Sequence, residues 1–213
     1  MKNNLRKISL SIFATVMLAT ASLAQFEGEI KFEKTVGKIH VMYKYFVKGN
    51  DIRIEEVGED GTIDGVQLMD LKEKKVYALS PERKLYMEAP NRRPVSSLDV
   101  DVKKTGKTKE ILGEKCFEVI VTNKAQDRKI VYWITKGDYN FFIPMLKTLN
   151  RKERQAMFFL EIAGMENHFP MVSTEYILST GDVVSTLKTK KVESRVIKAA
   201  TFAIPEGYTK FER

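Results

Sequence analysis

From residue 26 onward the chain is built from short runs in which apolar and polar residues alternate, a pattern that suits an antiparallel sheet and little else. Phe26, Gly28, Ile30 and Phe32 alternate with Glu27, Glu29, Lys31 and Glu33, giving a strand with one apolar and one wet face. Gly37-Lys38 makes a turn. Ile39, Val41, Tyr43, Tyr45 and Val47 then form the apolar row of a second strand, with Met42 off that row. Lys48-Gly49-Asn50-Asp51 is turn chemistry, and Ile52 and Ile54 begin a third strand. Gly58-Glu59-Asp60-Gly61 precedes a strand over 66–71, where Met69 lies off the main row. Lys72–Lys75 and Ser80-Pro81-Glu82-Arg83 bracket a strand at 76–79 and lead to Leu85-Tyr86-Met87. Six short strands joined by short turns predict a meander.

Beyond it, residues 91–94 read as a Pro-flanked basic loop, and Leu98, Val100 and Val102 hint at another strand. Ile111-Leu112-Gly113-Glu114-Lys115 leads into a strand over 116–122, which pairs with 130–135 and brings in the only tryptophan, Trp133. The single cysteine, Cys116, falls on the face opposite Phe117, Val119 and Val121 and reads as a small, buried or half-buried residue. Residues 141–163 differ in kind. Met145, Leu149, Ala156, Phe159, Leu160 and Ala163 recur at three- and four-residue steps, with Lys147, Arg151, Lys152 and Arg154 facing elsewhere. That is an amphipathic helical region, two helices if Asn150-x-x-Glu153 is a capping box, with Gly164 as a C-terminal stop. Residues 171–178 and 183–192 form a hairpin across Ser179-Thr180-Gly181-Asp182, and Phe202-Ala203-Ile204-Pro205 closes the chain. The expected architecture is mainly β: one domain over 25–213, its curved antiparallel sheet forming an unclosed barrel with a helical lid or plug at about 141–163.

The first twenty-four residues read as a signal peptide. Lys2, Arg6 and Lys7 precede an apolar run over 8–23, and Ser22-Leu23-Ala24 supplies small residues at the cleavage site. Gln25 follows, not the cysteine that a lipoprotein anchor needs. The expectation is an exported protein, in the periplasm first and outside the cell second. Without the signal the formal charge falls from +8 to about +5, dispersed along the chain. That surplus suits a solvated surface or transient contact with an anionic membrane surface, and export argues against nucleic acid as partner. No second apolar run approaches the ~20 residues of a membrane helix. Several strands of four to seven residues are also too short for the ~9–11 of a transmembrane barrel.

Catalytic signatures are missing. His40 and His168 have no metal-like spacing and are expected at the surface. There is no Gly-rich phosphate loop or G-x-S-x-G elbow, and Glu27, Glu29, Glu33, Glu55 and Glu56 read as carboxylates on exposed strand faces. The expectation is no enzyme, no metal and no cofactor. Met42, Met69, Met87, Met145, Met157, Met165 and Met171 accompany many aromatics, an inventory that suits either a plain core or a cavity for flexible acyl chains.

Several segments together resemble a known family. They are Phe26-Glu27-Gly28-Glu29-Ile30, Ile52-Arg53-Ile54-Glu55, Tyr77-Ala78-Leu79-Ser80-Pro81 with Leu85-Tyr86, and Ile111-Leu112-Gly113-Glu114-Lys115-Cys116. Val131-Tyr132-Trp133-Ile134, Phe169-Pro170 and Ile204-Pro205-Glu206-Gly207-Tyr208 complete the set. The chain resembles an exported bacterial family defined by a domain of unknown function (number four-four-one-two), itself similar to the LolA/LolB lipoprotein-carrier superfamily. The resemblance implies an unclosed β-barrel whose helices lid an apolar cavity for acyl chains, with an early-strand arginine fastening the lid. Arg53 is the candidate, although the R-P-x-x-F-R pattern is absent, and the lid itself must come from 141–163. The expected cavity and lid residues are Phe32, Ile54, Leu85, Met87, Phe117, Val119, Trp133, Met145, Leu149, Met157, Phe159 and Leu160. The functional expectation is a non-enzymatic carrier or binding protein for a lipid, an acylated protein or another apolar ligand. The alternative is an envelope scaffold protein with a filled barrel core.

Overall fold

The computed structural model describes residues 25–89 and 97–212, so the signal segment and the basic loop at 91–94 lie outside the described residues. The meander is present as β1 (Glu27–Val36), β2 (Ile39–Lys48), β3 (Asp51–Val57), β4 (Ile63–Asp70), β5 (Lys75–Ser80) and β6 (Leu85–Glu88). After it come β7 (Asp101–Ile111), β8 (Glu114–Asn123), β9 (Arg128–Lys136), α1 (Phe142–Leu149), α2 (Arg154–Leu160), β10 (His168–Ile177), β11 (Val183–Ser194) and β12 (Thr209–Lys210). The strands form one curved, unclosed sheet in the order β12-β6-β5-β4-β3-β2-β1-β11-β10-β9-β8-β7. Returning β11 to β1 splices the second half of the chain onto the meander, leaving β7 and β12 as the two edges.

Register sets the inner face. Across β1, β2 and β3, Gly28, Val47 and Ile52 form one row; Ile30, Tyr45 and Ile54 the next; Phe32, Tyr43 and Glu56 a third. On the far half the same face carries Val119 and Tyr132, then Ser173 and Leu187. Gly28 is required where β1 and β11 approach: a Cβ there would lie 2.1 Å from the Glu193 carbonyl oxygen. Met69 belongs to the inner face, opposite Ile52 and 3% exposed, so the reading that set it off the apolar row is corrected. Its row looked polar because both faces of β4 are buried, and alternation then loses its contrast.

The second burial arises from the C-terminal segment, which straps the outer face. Ile197 N donates to Glu27 Oε1 (2.7 Å), and Ile204 and Tyr208 pack on Val66, Leu68 and Leu79. Thr209 and Lys210 then pair in parallel with β6. Glu29 and Glu55 are therefore buried, not exposed as their strand positions suggested. Glu29 is held by Arg195 (2.8 Å) and Lys31 (3.3 Å). Burial raises its pKa, but these two cations more than offset that and hold the carboxyl below its usual range.

Arg53 sits on this outer face as well. Its Nε contacts Glu55 at 2.7 Å and its Nη1 donates to the Thr201 carbonyl oxygen at 3.3 Å. It fastens the C-terminal strap and faces away from the helices. Arg53→Ala should cost about 1–3 kcal/mol, because buried Glu55 loses its partner. Hydrogen exchange should accelerate over 199–211 and stay unchanged over 142–160; the reverse pattern would return Arg53 to the lid.

β7 extends well past the expected 98–102. Its Lys- and Thr-rich body is exposed and held by pairing with β8, with a bulge between Lys104 and Thr108 where Gly106 takes φ +80°. Lysines and a bulge on an edge strand oppose further strand addition.

Candidate functional site

Two short helices lie across the inner face. At eight and seven residues neither would persist alone, so packing must hold them. α1 tolerates Pro144 in its first turn, where no intrahelical donor is needed. It buries Phe142, Met145 and Leu146, and ends at Asn150 in a left-handed conformation, φ +44°. Asn150 is thus the C-cap of α1 and does not open α2, which starts after Glu153 without any side-chain cap. α2 stops at Leu160, before Gly164, whose positive φ serves the turn that follows.

α2 is fixed by polar contacts instead of a cap. Tyr132 Oη donates to the Gln155 carbonyl oxygen (2.7 Å), and Gln155 Nε2 donates to Ser185 Oγ (3.3 Å) and the Ser173 carbonyl oxygen (3.4 Å). Arg154 reaches buried Glu175 at 3.3 Å, which also meets Arg128 Nε at 3.3 Å and accepts from Ser185 Oγ at 3.1 Å. Glu153 pairs with Lys34 across the linker.

Beneath the helices three voids run end to end. The innermost, about 70 Å³, lies among Phe32, Tyr45, Tyr132, Phe142, Leu146, Phe159, Phe169 and Leu187. A second, about 50 Å³, shares Phe32, Tyr45, Glu153 and Leu187 with it and adds Lys34, Tyr43, Ile54 and Arg151. The third, about 170 Å³, shares Tyr43, Ile54 and Arg151 with the second and adds Glu56, Gly65, Gln67 and Ala78. The groove therefore passes from an aromatic interior to a polar mouth under the α1–α2 linker. Burial, with Glu56 and Glu153 nearby, pushes the Tyr43 hydroxyl up to about 12, and burial raises Tyr45 and Tyr132 further. These phenols stay neutral and serve as walls and donors. At the other end of the sheet an open depression of about 520 Å³ includes Lys190 and Lys191, but Glu33 and Glu193 already neutralise them at 3.2 and 3.0 Å.

Of the expected site residues, Phe32, Ile54 and Phe159 line these voids. Val119 and Met145 are fully packed in the core. Leu85, Met87, Phe117, Leu149, Met157 and Leu160 are half-buried and absent from the three linings. Trp133 occupies the outer face, opposite Glu118 and with Lys109 Nζ 3.9 Å from its ring centroid, because Tyr132 and Ile134 on either side point inward. The sequence reading missed Tyr43, Tyr45, Tyr132, Gln67, Arg151 and Glu153 as site residues. The three tyrosines were visible as members of inward rows; the other three depend on where the linker crosses the sheet.

Cys116 is buried, and burial together with Glu114 pushes its thiol up to about 11, which leaves it unreactive. His168 differs from its surface reading. Its ring stands edge-on to Phe117 at 5.7 Å, and burial, aided by Lys136 and Lys104, lowers its pKa below 6.5. The unfolded chain then takes up a proton first, so stability should fall as pH drops below about 6.5. His168→Phe should flatten that decline in urea titrations at successive pH values; an unchanged slope would show that other groups cause it. Among the described residues no group of three or more His, Cys, Asp or Glu could hold a metal ion. No described helix is long and apolar enough to cross a membrane.

The sequence profile of the family described as Domain of unknown function (DUF4412) matches residues 26–208. No curated protein matches the chain. Among solved structures, an uncharacterized conserved protein from Thermus thermophilus superposes with a TM-score of 0.57 at 9% identity, over 90% of this chain and 93% of that one. A MucA/MucB complex from Pseudomonas aeruginosa gives 0.48 at 10% identity, over 85% of this chain and 56% of that one. A LolA superfamily protein from Nitrosomonas europaea gives 0.36 at 11% identity, over 85% and 91%. At 9% identity the likeness to the Thermus thermophilus protein is one of fold alone.

Proposed function

Because the chain belongs to the DUF4412 family, whose description assigns no activity, we propose its role from the groove: an exported, non-enzymatic binding or carrier protein for a lipid, an acylated protein or another apolar ligand. Export rests on the signal pattern of residues 1–24. The observation that carries the reading is the line of voids between a concave aromatic face and a two-helix cover. An acyl chain placed there gains roughly 0.8 kcal/mol per buried methylene. The innermost void, about 70 Å³, has the volume of only about two waters, so loading displaces the helices. The cover suits this, because each helix is short and α2 has no side-chain cap. Delivery or capture would involve brief contact with a membrane surface.

Native mass spectrometry of the protein recovered from an envelope extract, followed by lipid extraction, tests the reading together with uptake of a fluorescent fatty acid. Bound lipid and saturable uptake are expected. No lipid and no uptake would sink it. The small inner void supports a second reading, a scaffold protein with a filled core, and that negative result would favour it.

A further inference from the structure

The mouth of the groove carries two exposed, opposite charges, Glu56 beside the Tyr43 hydroxyl and Arg151 on the linker above it. Among the described residues Arg151 forms no ion pair and neither does Glu56, yet both line the 170 Å³ void. Beside them the Gln67 Oε1 oxygen is buried without a hydrogen-bond partner, an acceptor awaiting a donor. The floor has been cleared. Gly65, opposite Glu56 in register, interrupts a strand where a side chain would be favoured, and a Cβ there would meet nothing within 4 Å. An anion-seeking guanidinium, an acidic wall, an orphan acceptor and an open floor together describe the complement of a small zwitterion.

We propose that this mouth reads the head of a zwitterionic phospho-amphiphile. Its phosphate sits against Arg151 and its ammonium donates to Glu56 and Gln67, with the acyl chain running inward past Ile54 and Phe32. This rests on the acyl-binding reading of the groove and names its ligand class. Arg151 lies on the linker between the helices, so a phosphate bound there ties the cover to its cargo. Arg is suited to that role because its planar fork binds phosphate oxygens two at a time.

The test compares three probes with one shared chain by calorimetry below their micelle concentrations: palmitoyl-lysophosphatidylethanolamine, palmitoyl-lysophosphatidylglycerol and palmitate. The ethanolamine lipid should bind tightest. Glu56→Gln should weaken it about tenfold while sparing the glycerol lipid and palmitate, the loss of one charge-assisted contact. Arg151→Gln should weaken both phospholipids. Gly65→Leu, which fills the mouth, should weaken both phospholipids and leave palmitate unchanged, and Lys152→Gln on the same linker should change nothing. Equal affinity for all three heads, or indifference to Glu56→Gln, overturns the head assignment and leaves acyl binding standing. Failure of every probe to bind overturns the acyl-binding reading itself.

Discussion

Replacing Phe159 by alanine should lower stability by about 3–5 kcal/mol, the cost of emptying a fully buried aromatic position. Phe159 is 1% exposed and stands edge-on to Tyr132 at 5.6 Å and to Phe142 at 5.3 Å. It joins α2 to both the sheet and α1, so its loss removes the contacts that keep the cover closed. The same truncation enlarges the 70 Å³ void that Phe159 lines. Urea unfolding should show a lower midpoint with an unchanged slope. If the groove binds acyl chains, added fatty acid should restore part of the lost stability by mass action, because ligand binds the folded state alone. A destabilisation below 1 kcal/mol would mean that the cover carries little of the core. Full destabilisation without ligand rescue would favour the filled-core reading.

The meander was legible because three signals agree in it: period-two rows, turn residues at each reversal, and runs of matching length. The same periodicity had already placed two residues that the expected site misassigned. Arg53 lies between Ile52 and Ile54, and Trp133 between Tyr132 and Ile134, so if the flanking residues point inward these must point outward. Arg53 entered the expected site through the family resemblance and not through this alternation, which points it away from the helices. Other features had no local signal. β7 carries a polar sequence through its pairing with β8, and the buried state of Glu29 and Glu55 depends on a strap that arrives 140 residues or more later in the chain. The groove mouth is the clearest case: Glu56, Gly65 and Gln67 become a site only once the α1–α2 linker crosses above them.

Glu175→Ala should be among the most damaging substitutions of a polar residue, at about 2–4 kcal/mol, because it strands the enclosed Arg128 guanidinium without its carboxylate. Glu175 is 6% exposed, and one of its oxygens faces both Arg128 and Arg154 at 3.3 Å while the other accepts from Ser185. Arg128 is the more enclosed of the two cations, with a side chain 21% exposed against 42% for Arg154. Arg154→Ala should therefore cost no more than about 1 kcal/mol, since the carboxylate keeps Arg128 and the lost pair is partly solvated. The asymmetry has a structural reading. α2 begins with a cation, Arg154, where the helix dipole favours an anion, and it has no side-chain cap. Its first turn stays in place because Glu175 supplies the negative charge from the sheet, and Gln155 joins the same network through Ser185. Glu175→Ala should accordingly speed hydrogen exchange over 154–160 more than over 142–149, and raise the rate of fatty-acid uptake by loosening the cover. Equal costs for the two substitutions would show that the network is solvated and that packing alone seats α2.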